Sequence, residues 1–139
     1  MSEPTNLEIV QSGYEKFGNR DIEGLLSQFT DDIDWSTPHV ENAPFTGNRL
    51  GLTEVADFFK GLAEAEEFSY FEPTEFVEQG KRVVVLGRAK ATVKATAKTY
   101  ETDWVHLFTV EDGKITHFRE FFDTAAVTKA FQKTAAAEG

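Results

Sequence analysis

Four runs rich in β-branched and aromatic residues follow Glu66-Glu67: Phe68 to Val77, Arg82 to Val93, Tyr100 to Val110 and Ile115 to Phe122. Gly80-Lys81, the segment from Ala95 to Lys98, and Asp112-Gly113 separate them. Connections this short cannot carry a parallel crossover, so the second half of the chain is expected to be an antiparallel meander.

The first half has a different period. Leu7, Val10, Tyr14 and Phe17 recur at helical spacing, with Pro4 suited to the opening turn and Gly18-Asn19 to the stop. Asp21 reads as the N-cap of a short second helix, IEGLLSQF. Ile33 to Ser36 alternates like a short strand, and His39 to Leu52, with Asn42, Pro44, Gly47, Asn48 and Gly51, reads as a loop. Thr53 is placed to cap a third helix whose apolar stripe is Val55, Phe58, Phe59 and Leu62. A last helix is expected from Ala125 to Ala135.

Helices first and a bent antiparallel sheet second is an α+β layer arrangement. No linker, repeat or low-complexity tract interrupts the 139 residues, so one domain over 1–139 is expected. The helices must cover one face of the sheet, and a bent sheet with helices against it makes a cone whose interior suits a small molecule.

Composition narrows the partners. Fourteen basic against 24 acidic residues leave a net charge of −10 with no basic cluster, which argues against nucleic acid and anionic lipid. There is no cysteine, so disulfides and thiolate metal sites are ruled out. The start, MSEPTNLEIVQ, lacks the basic and apolar regions of a signal peptide, and no apolar run approaches the ~20 residues that span a bilayer. A cytoplasmic protein that binds no membrane is the expectation. The three histidines lie far apart and show no chelating spacing; neither a phosphate loop nor a dinucleotide fingerprint occurs. No metal and no cofactor are expected.

The stretch DWVHLFTVEDGKITHFREFFD, residues 103–123, sets His106 between Trp104 and Phe108, and Glu120 between Phe118 and Phe122, at period two. Whether imidazole and carboxylate share a face depends on the turn. A two-residue turn at Asp112-Gly113 puts His106 opposite Arg119 and Glu120 opposite Val105, on different faces. A three-residue loop, Glu111-Asp112-Gly113, puts His106 opposite Phe118 and Glu120 opposite Trp104, as diagonal neighbours on one face. Asp-Gly by itself favours the first. Sorting the faces favours the second: Trp104, His106, Phe108, Phe118, Glu120 and Phe122 form an aromatic wall with two titratable groups. Val105, Leu107, Ile115, His117, Arg119 and Phe121 are left for a mixed outer face.

Three segments, YEKFGNRDIEGLLSQFTDDIDW, PFTGNRLGLTEVADFFKGL and DWVHLFTVEDGKITHFREFFD, together resemble the SnoaL-like branch of the nuclear transport factor 2-like superfamily. Polyketide cyclases and ketosteroid isomerases belong to it. The resemblance spans roughly Leu7 to Phe131. It implies a cone-shaped barrel of a strongly curved, mostly antiparallel sheet packed against three to four helices, with a deep apolar pocket. It also implies a homodimer through the outer sheet face. In the cyclases a His and an acidic residue enter the pocket from the last two long strands; His106 and Glu120 fall there, with Glu in place of Asp. The family pattern therefore adds weight to the three-residue loop. The resemblance is less specific for activity: the isomerase base position holds Thr37, and the epoxide-hydrolase Arg and Asp positions hold Trp104 and His106.

In an apolar cone desolvation raises a carboxylic acid's pKa and lowers an imidazole's, and their attraction opposes both shifts. Such a pair suits proton removal next to a carbonyl: isomerisation, aldol cyclisation or dehydration. Glu120 is expected to act as general acid/base and His106 to orient it or stabilise an oxyanion. Tyr14, Trp35, Trp104, Phe108, Phe118 and Phe122 are the expected contacts for an apolar, carbonyl-bearing ligand, although the position of Tyr14 on a helix stripe favours core packing over a hydroxyl at the pocket mouth. A buried His–Glu pair can also serve only to satisfy its own hydrogen bonds, in which case the chain would be a non-catalytic binding module or a dimeric scaffold.

Overall fold

The computed structural model describes residues 3–43 and 45–133. Four helices, α1 (Asn6–Gly18), α2 (Ile22–Leu26), α3 (Gly51–Ala65) and α4 (Thr124–Phe131), pack against one curved sheet. Its strands are β1 (Phe29–Ser36), β2 (Asn48–Leu50), β3 (Glu66–Gln79), β4 (Arg82–Val93), β5 (Thr99–Glu111) and β6 (Lys114–Phe122). The sheet order is β2-β1-β6-β5-β4-β3. It is an α+β cone, but an open one: the sheet has two edges and does not close into a barrel.

β3 to β6 form the expected antiparallel meander. Pro73 is tolerated inside β3 because that strand is an edge, where a missing N–H costs no ladder bond on the solvent side. β1 runs parallel to β6 and also pairs with β2. The segment His39 to Leu52, expected to be loop throughout, thus contains a three-residue strand whose existence depends on β1 as its neighbour.

Helix ends depart from the sequence expectations in small ways. Thr5, not Pro4, begins α1: its hydroxyl accepts from Glu8 N while Glu8 accepts from Thr5 N, a reciprocal capping box. Asp21 caps α2 as expected, but the helix ends at Leu26 and Phe29 already belongs to β1. Thr53 does not cap α3, which starts two residues earlier; Glu54 Oε1 accepts from Leu50 N instead. α4 ends at Phe131, and Pro44 and Ala135 lie outside the described residues.

The inner faces of β4, β5 and β6 supply one wall of the core and α1, α3 and α4 cover it. β4 buries Val83, Val85, Ala89, Ala91 and Val93 at period two. Gly87 completes that row for a steric reason: a Cβ there would collide with the Trp104 ring and with the Glu72 carbonyl. No helix among the described residues is long and apolar enough to cross a membrane.

Candidate functional site

The β5–β6 hairpin positions the site, and it does so by neither of the two expected registers. Asp112 and Gly113 have φ of 50° and 79°, so the connection is a two-residue turn with both centres left-handed. The three-residue loop is therefore incorrect. Next to the turn Glu111 faces Lys114 and Val110 faces Ile115, as a two-residue turn requires. Beyond a register shift, Thr109 faces His117. Thr116 is the extra residue, a β-bulge, and its hydroxyl bonds back to the Thr109 carbonyl at 3.3 Å.

The bulge reverses the facing of everything that follows. His106 now lies directly opposite Glu120, Trp104 opposite Phe122, and Phe108 opposite Phe118. Imidazole and carboxylate share the inner face as direct partners rather than diagonal ones. Ile115, on the near side of the bulge, points inward and is buried, which corrects its assignment to the outer face.

His106 is 4% exposed and makes two side-chain hydrogen bonds. Its Nε2 is 2.8 Å from Glu120 Oε2, and its Nδ1 is 2.6 Å from the Tyr14 hydroxyl. A neutral ring protonated at Nε2 donates to Glu120 and accepts from Tyr14, so both ring nitrogens are satisfied. Among the described residues Glu120 Oε1 has no hydrogen-bond partner. Tyr14 is thus more than stripe packing: α1 carries its hydroxyl across the cone to the far wall. Burial, and then the Glu120 charge, push the Tyr14 phenol pKa well above its usual value.

The ring planes are ordered too. Trp104 stacks on His106 with centroids 4.0 Å apart, and Tyr14 lies 5° from parallel to the imidazole. Trp35 stacks on Phe118 at 3.8 Å. These contacts help offset a cost, because the indole N–H groups of Trp35 and Trp104 are buried without an acceptor among the described residues.

Tyr14, Trp35, Trp104, Phe108, Phe118 and Phe122 line one cavity together with His106 and Glu120. The cavity encloses about 100 Å³, below the ~300 Å³ floor usual for drug-sized ligands. It suits a small ligand, or a larger one that displaces Phe side chains. His39 is exposed and does not line the cavity, and Asp123 caps α4 through Ala126 N. Thr37 is buried, but its hydroxyl is engaged with Gly47 rather than with the cavity. Among the described residues no three His, Asp or Glu side chains converge as metal ligands.

A second polar pair lines the same cavity and was not expected. Glu66, at the start of β3, is 5% exposed, and both its oxygens lie within 2.9 Å of the Tyr100 hydroxyl on β5. Burial pushes the Glu66 carboxyl up to about 7, aided by the Glu120 charge and opposed by the Tyr100 hydrogen bond. Burial and the Glu66 charge likewise raise the Tyr100 phenol. Tyr100 was legible: it continues the inward period of Trp104 and His106. Glu66, in an acidic pair at a strand start, carried no such signal.

Comparison with known proteins gives a consistent result. The SnoaL-like domain model matches residues 10–118. A crystallised NTF2-like protein from Burkholderia xenovorans LB400 is 40% identical, with a TM-score of 0.83 covering 91% of this chain and 95% of that one. TerC, crystallised with polyporic acid, is 34% identical, with a TM-score of 0.81 over 91% of this chain and 97% of its own. UPF0523 protein B of Dictyostelium discoideum is 26% identical over 97% of this chain and 86% of its own length.

Proposed function

The chain belongs to the SnoaL-like domain family, and from that premise we propose that it is a cofactor-independent acid/base enzyme acting on an apolar, carbonyl-bearing small molecule. The observation that carries this reading is the His106–Glu120 hydrogen bond of 2.8 Å inside an aromatic cavity. The similarity to TerC, crystallised with polyporic acid, supports a small organic ligand for the cavity.

In the proposed reaction the ligand's carbonyl lies against the aromatic wall with an α-carbon facing Glu120. Glu120 takes the α-proton, and the electron pair of the broken C–H bond moves into an enolate. His106 orients the carboxylate through Nε2. When the ring is protonated, Nδ1 donates to the Tyr14 oxygen and turns the phenol proton toward the ligand, where it can hold the enolate oxygen. Returning the proton to another carbon gives isomerisation; attack of the enolate on a second carbonyl gives cyclisation; loss of a β-hydroxyl gives dehydration.

The test needs no knowledge of the natural product. The protein is incubated in D₂O with 4-ethylacetophenone, and exchange of the ketone's α-protons is followed by ¹H NMR. Wild type should accelerate exchange and Glu120→Gln should lose roughly 10²-fold or more of that acceleration while binding the ketone as tightly. Unchanged exchange in Glu120→Gln removes the assignment.

One observation favours a second reading, a non-catalytic ligand-binding module or dimeric scaffold: the cavity is only about 100 Å³. Ketone binding without exchange in wild type would support the module, and no binding the scaffold. In any of these roles we propose a homodimer through the outer sheet face. There Phe121 is 45% exposed, and the Arg119 guanidinium lies 4.9 Å from its ring centroid.

A further inference from the structure

Glu66 and Tyr100 lie in the same cavity as His106 and Glu120, yet the proton-transfer scheme does not use them. The Tyr100 hydroxyl is 2.9 Å from Glu66 Oε1 and 2.8 Å from Oε2, and no other donor among the described residues reaches either oxygen. The indole N–H groups of Trp35 and Trp104, on the same wall, are unpaired and so do not serve them. Among the described residues the cavity is lined by no Lys or Arg.

Counting donors against acceptors gives the same result in both protonation states. If Glu66 is ionised, its carboxylate offers about four acceptor sites and the phenol supplies a single proton. If it is neutral, acid and phenol close a cyclic pair in which each O–H donates to the other group, so both protons are used. Lone pairs on the Glu66 and Tyr100 oxygens are left over in each case. The pair has no donor to give and acceptors to spare.

In a cavity walled by aromatic rings such a surplus has a desolvation cost, and a donor on a ligand removes it. His106, at the other polar station, differs: both of its ring nitrogens are already engaged, with Glu120 and Tyr14. Tyr100 and His106 are six residues apart on β5 and on the same face, which is at most ~20 Å of extended strand.

We propose that the Glu66–Tyr100 pair is a hydrogen-bond-accepting station that takes a hydroxyl of the ligand. The ligand class it selects is a hydroxy ketone: an apolar body with a carbonyl for the His106–Glu120 station and an O–H for Glu66. A neutral hydroxyl satisfies the pair in either protonation state, whereas an ammonium needs Glu66 ionised. This deepens the proposed function and rests on its reading of the cavity as a small-molecule site. Glu66 is a specificity-determining residue in this scheme; it moves no proton of the reaction.

Three probes with equal heavy-atom counts test it: 4-(hydroxymethyl)acetophenone, 4-ethylacetophenone and 4-acetylbenzaldehyde. They end in an O–H donor, a methyl group and an oxygen that only accepts. Binding is read from the indole N–H resonances of Trp35 and Trp104, the protein's two tryptophans, both of which line the cavity. Wild type should bind the alcohol at least about fivefold more tightly than either other probe. Glu66→Leu, which removes the acceptor, should abolish that preference without weakening 4-ethylacetophenone. Tyr100→Phe removes the internal donor and leaves the Glu66 oxygens, so it should keep the preference. Equal affinities in wild type, an aldehyde bound as tightly as the alcohol, or an unchanged preference in Glu66→Leu overturn the station while leaving the cavity reading intact. Loss of the preference in both variants alike marks the pair as structural and overturns the assignment to Glu66. No shift of either indole signal with any probe overturns the station and the cavity reading together.

Discussion

His106 and Glu120 are direct cross-strand partners across β5 and β6, and the single extra residue Thr116 makes them so. Without it, the two-residue turn at Asp112-Gly113 would send the two side chains to opposite faces. The bulge converts a hairpin whose turn chemistry forbids the site into one that builds it.

Deleting Thr116 should therefore be far more damaging than an ordinary change at a half-buried position. Phe118, Glu120 and Phe122 would turn outward or drag β6 out of register with β1. With two large aromatics leaving the core at ~2 kcal/mol each, a loss of at least about 4 kcal/mol is expected in urea denaturation. Thr116→Ala, which keeps the residue count, should cost under about 1.5 kcal/mol. Similar losses in both variants would show that the bulge is not what sets the register.

Tyr14→Phe keeps the ring stack with Trp104 and His106 and removes only the 2.6 Å contact to Nδ1. Ketone α-exchange should fall by roughly 5- to 50-fold, as expected for one hydrogen bond to a functional group. The melting temperature should move by only a few degrees. Exchange at the wild-type rate would mean that the Tyr14 hydroxyl has no part in the proton transfer.

Glu66 predicts the sign of a pH effect on stability. Its folded pKa, about 7, lies above the ordinary 4.5, so between these values the native state binds more protons than the unfolded one. Its contribution is fully present below pH 4.5 and is lost as pH rises through 7. Glu66→Gln should remove that dependence. Its stability relative to wild type should rise between pH 5 and pH 8 by on the order of 2 kcal/mol. A constant difference across that window would contradict the raised pKa.

Gly87→Ala should destabilise by about 1–3 kcal/mol through overpacking, because the new methyl meets both the Trp104 ring and the Glu72 carbonyl. Near-ultraviolet circular dichroism, which senses the packing of Trp104, should change with it. A neutral substitution would show that β3 and the indole give way together.

The proposed dimer predicts that Phe121→Glu gives a monomer by light scattering while leaving far-ultraviolet dichroism unchanged. A monomeric wild type at tens of micromolar would remove this interface.

Much of the architecture follows from local pattern. The four runs after Glu67, the period-two rows of β4 and β5, and the stripes of α1 and α3 each needed only neighbouring residues to be legible. The inward direction of Trp104, His106 and Phe108 is likewise a local consequence of the pleat. β2 was hidden because a three-residue strand has no pattern of its own and exists only where β1 offers unpaired backbone. Thr53 was a sound cap by type but lies inside a helix that β2 feeds two residues earlier.

The site itself divides along the same line. Fold class, the strands of the meander and the inward row of Trp104, His106 and Phe108 were legible in the chain, because alternation and helical spacing are written in adjacent positions. Only the tertiary structure decided which of these groups meet. The Thr116 bulge, the reach of Tyr14 from α1 to His106, and the pairing of Glu66 with Tyr100, 34 positions apart, depend on long-range register. That register is set by the packing of the whole sheet, and no short stretch of the chain encodes it.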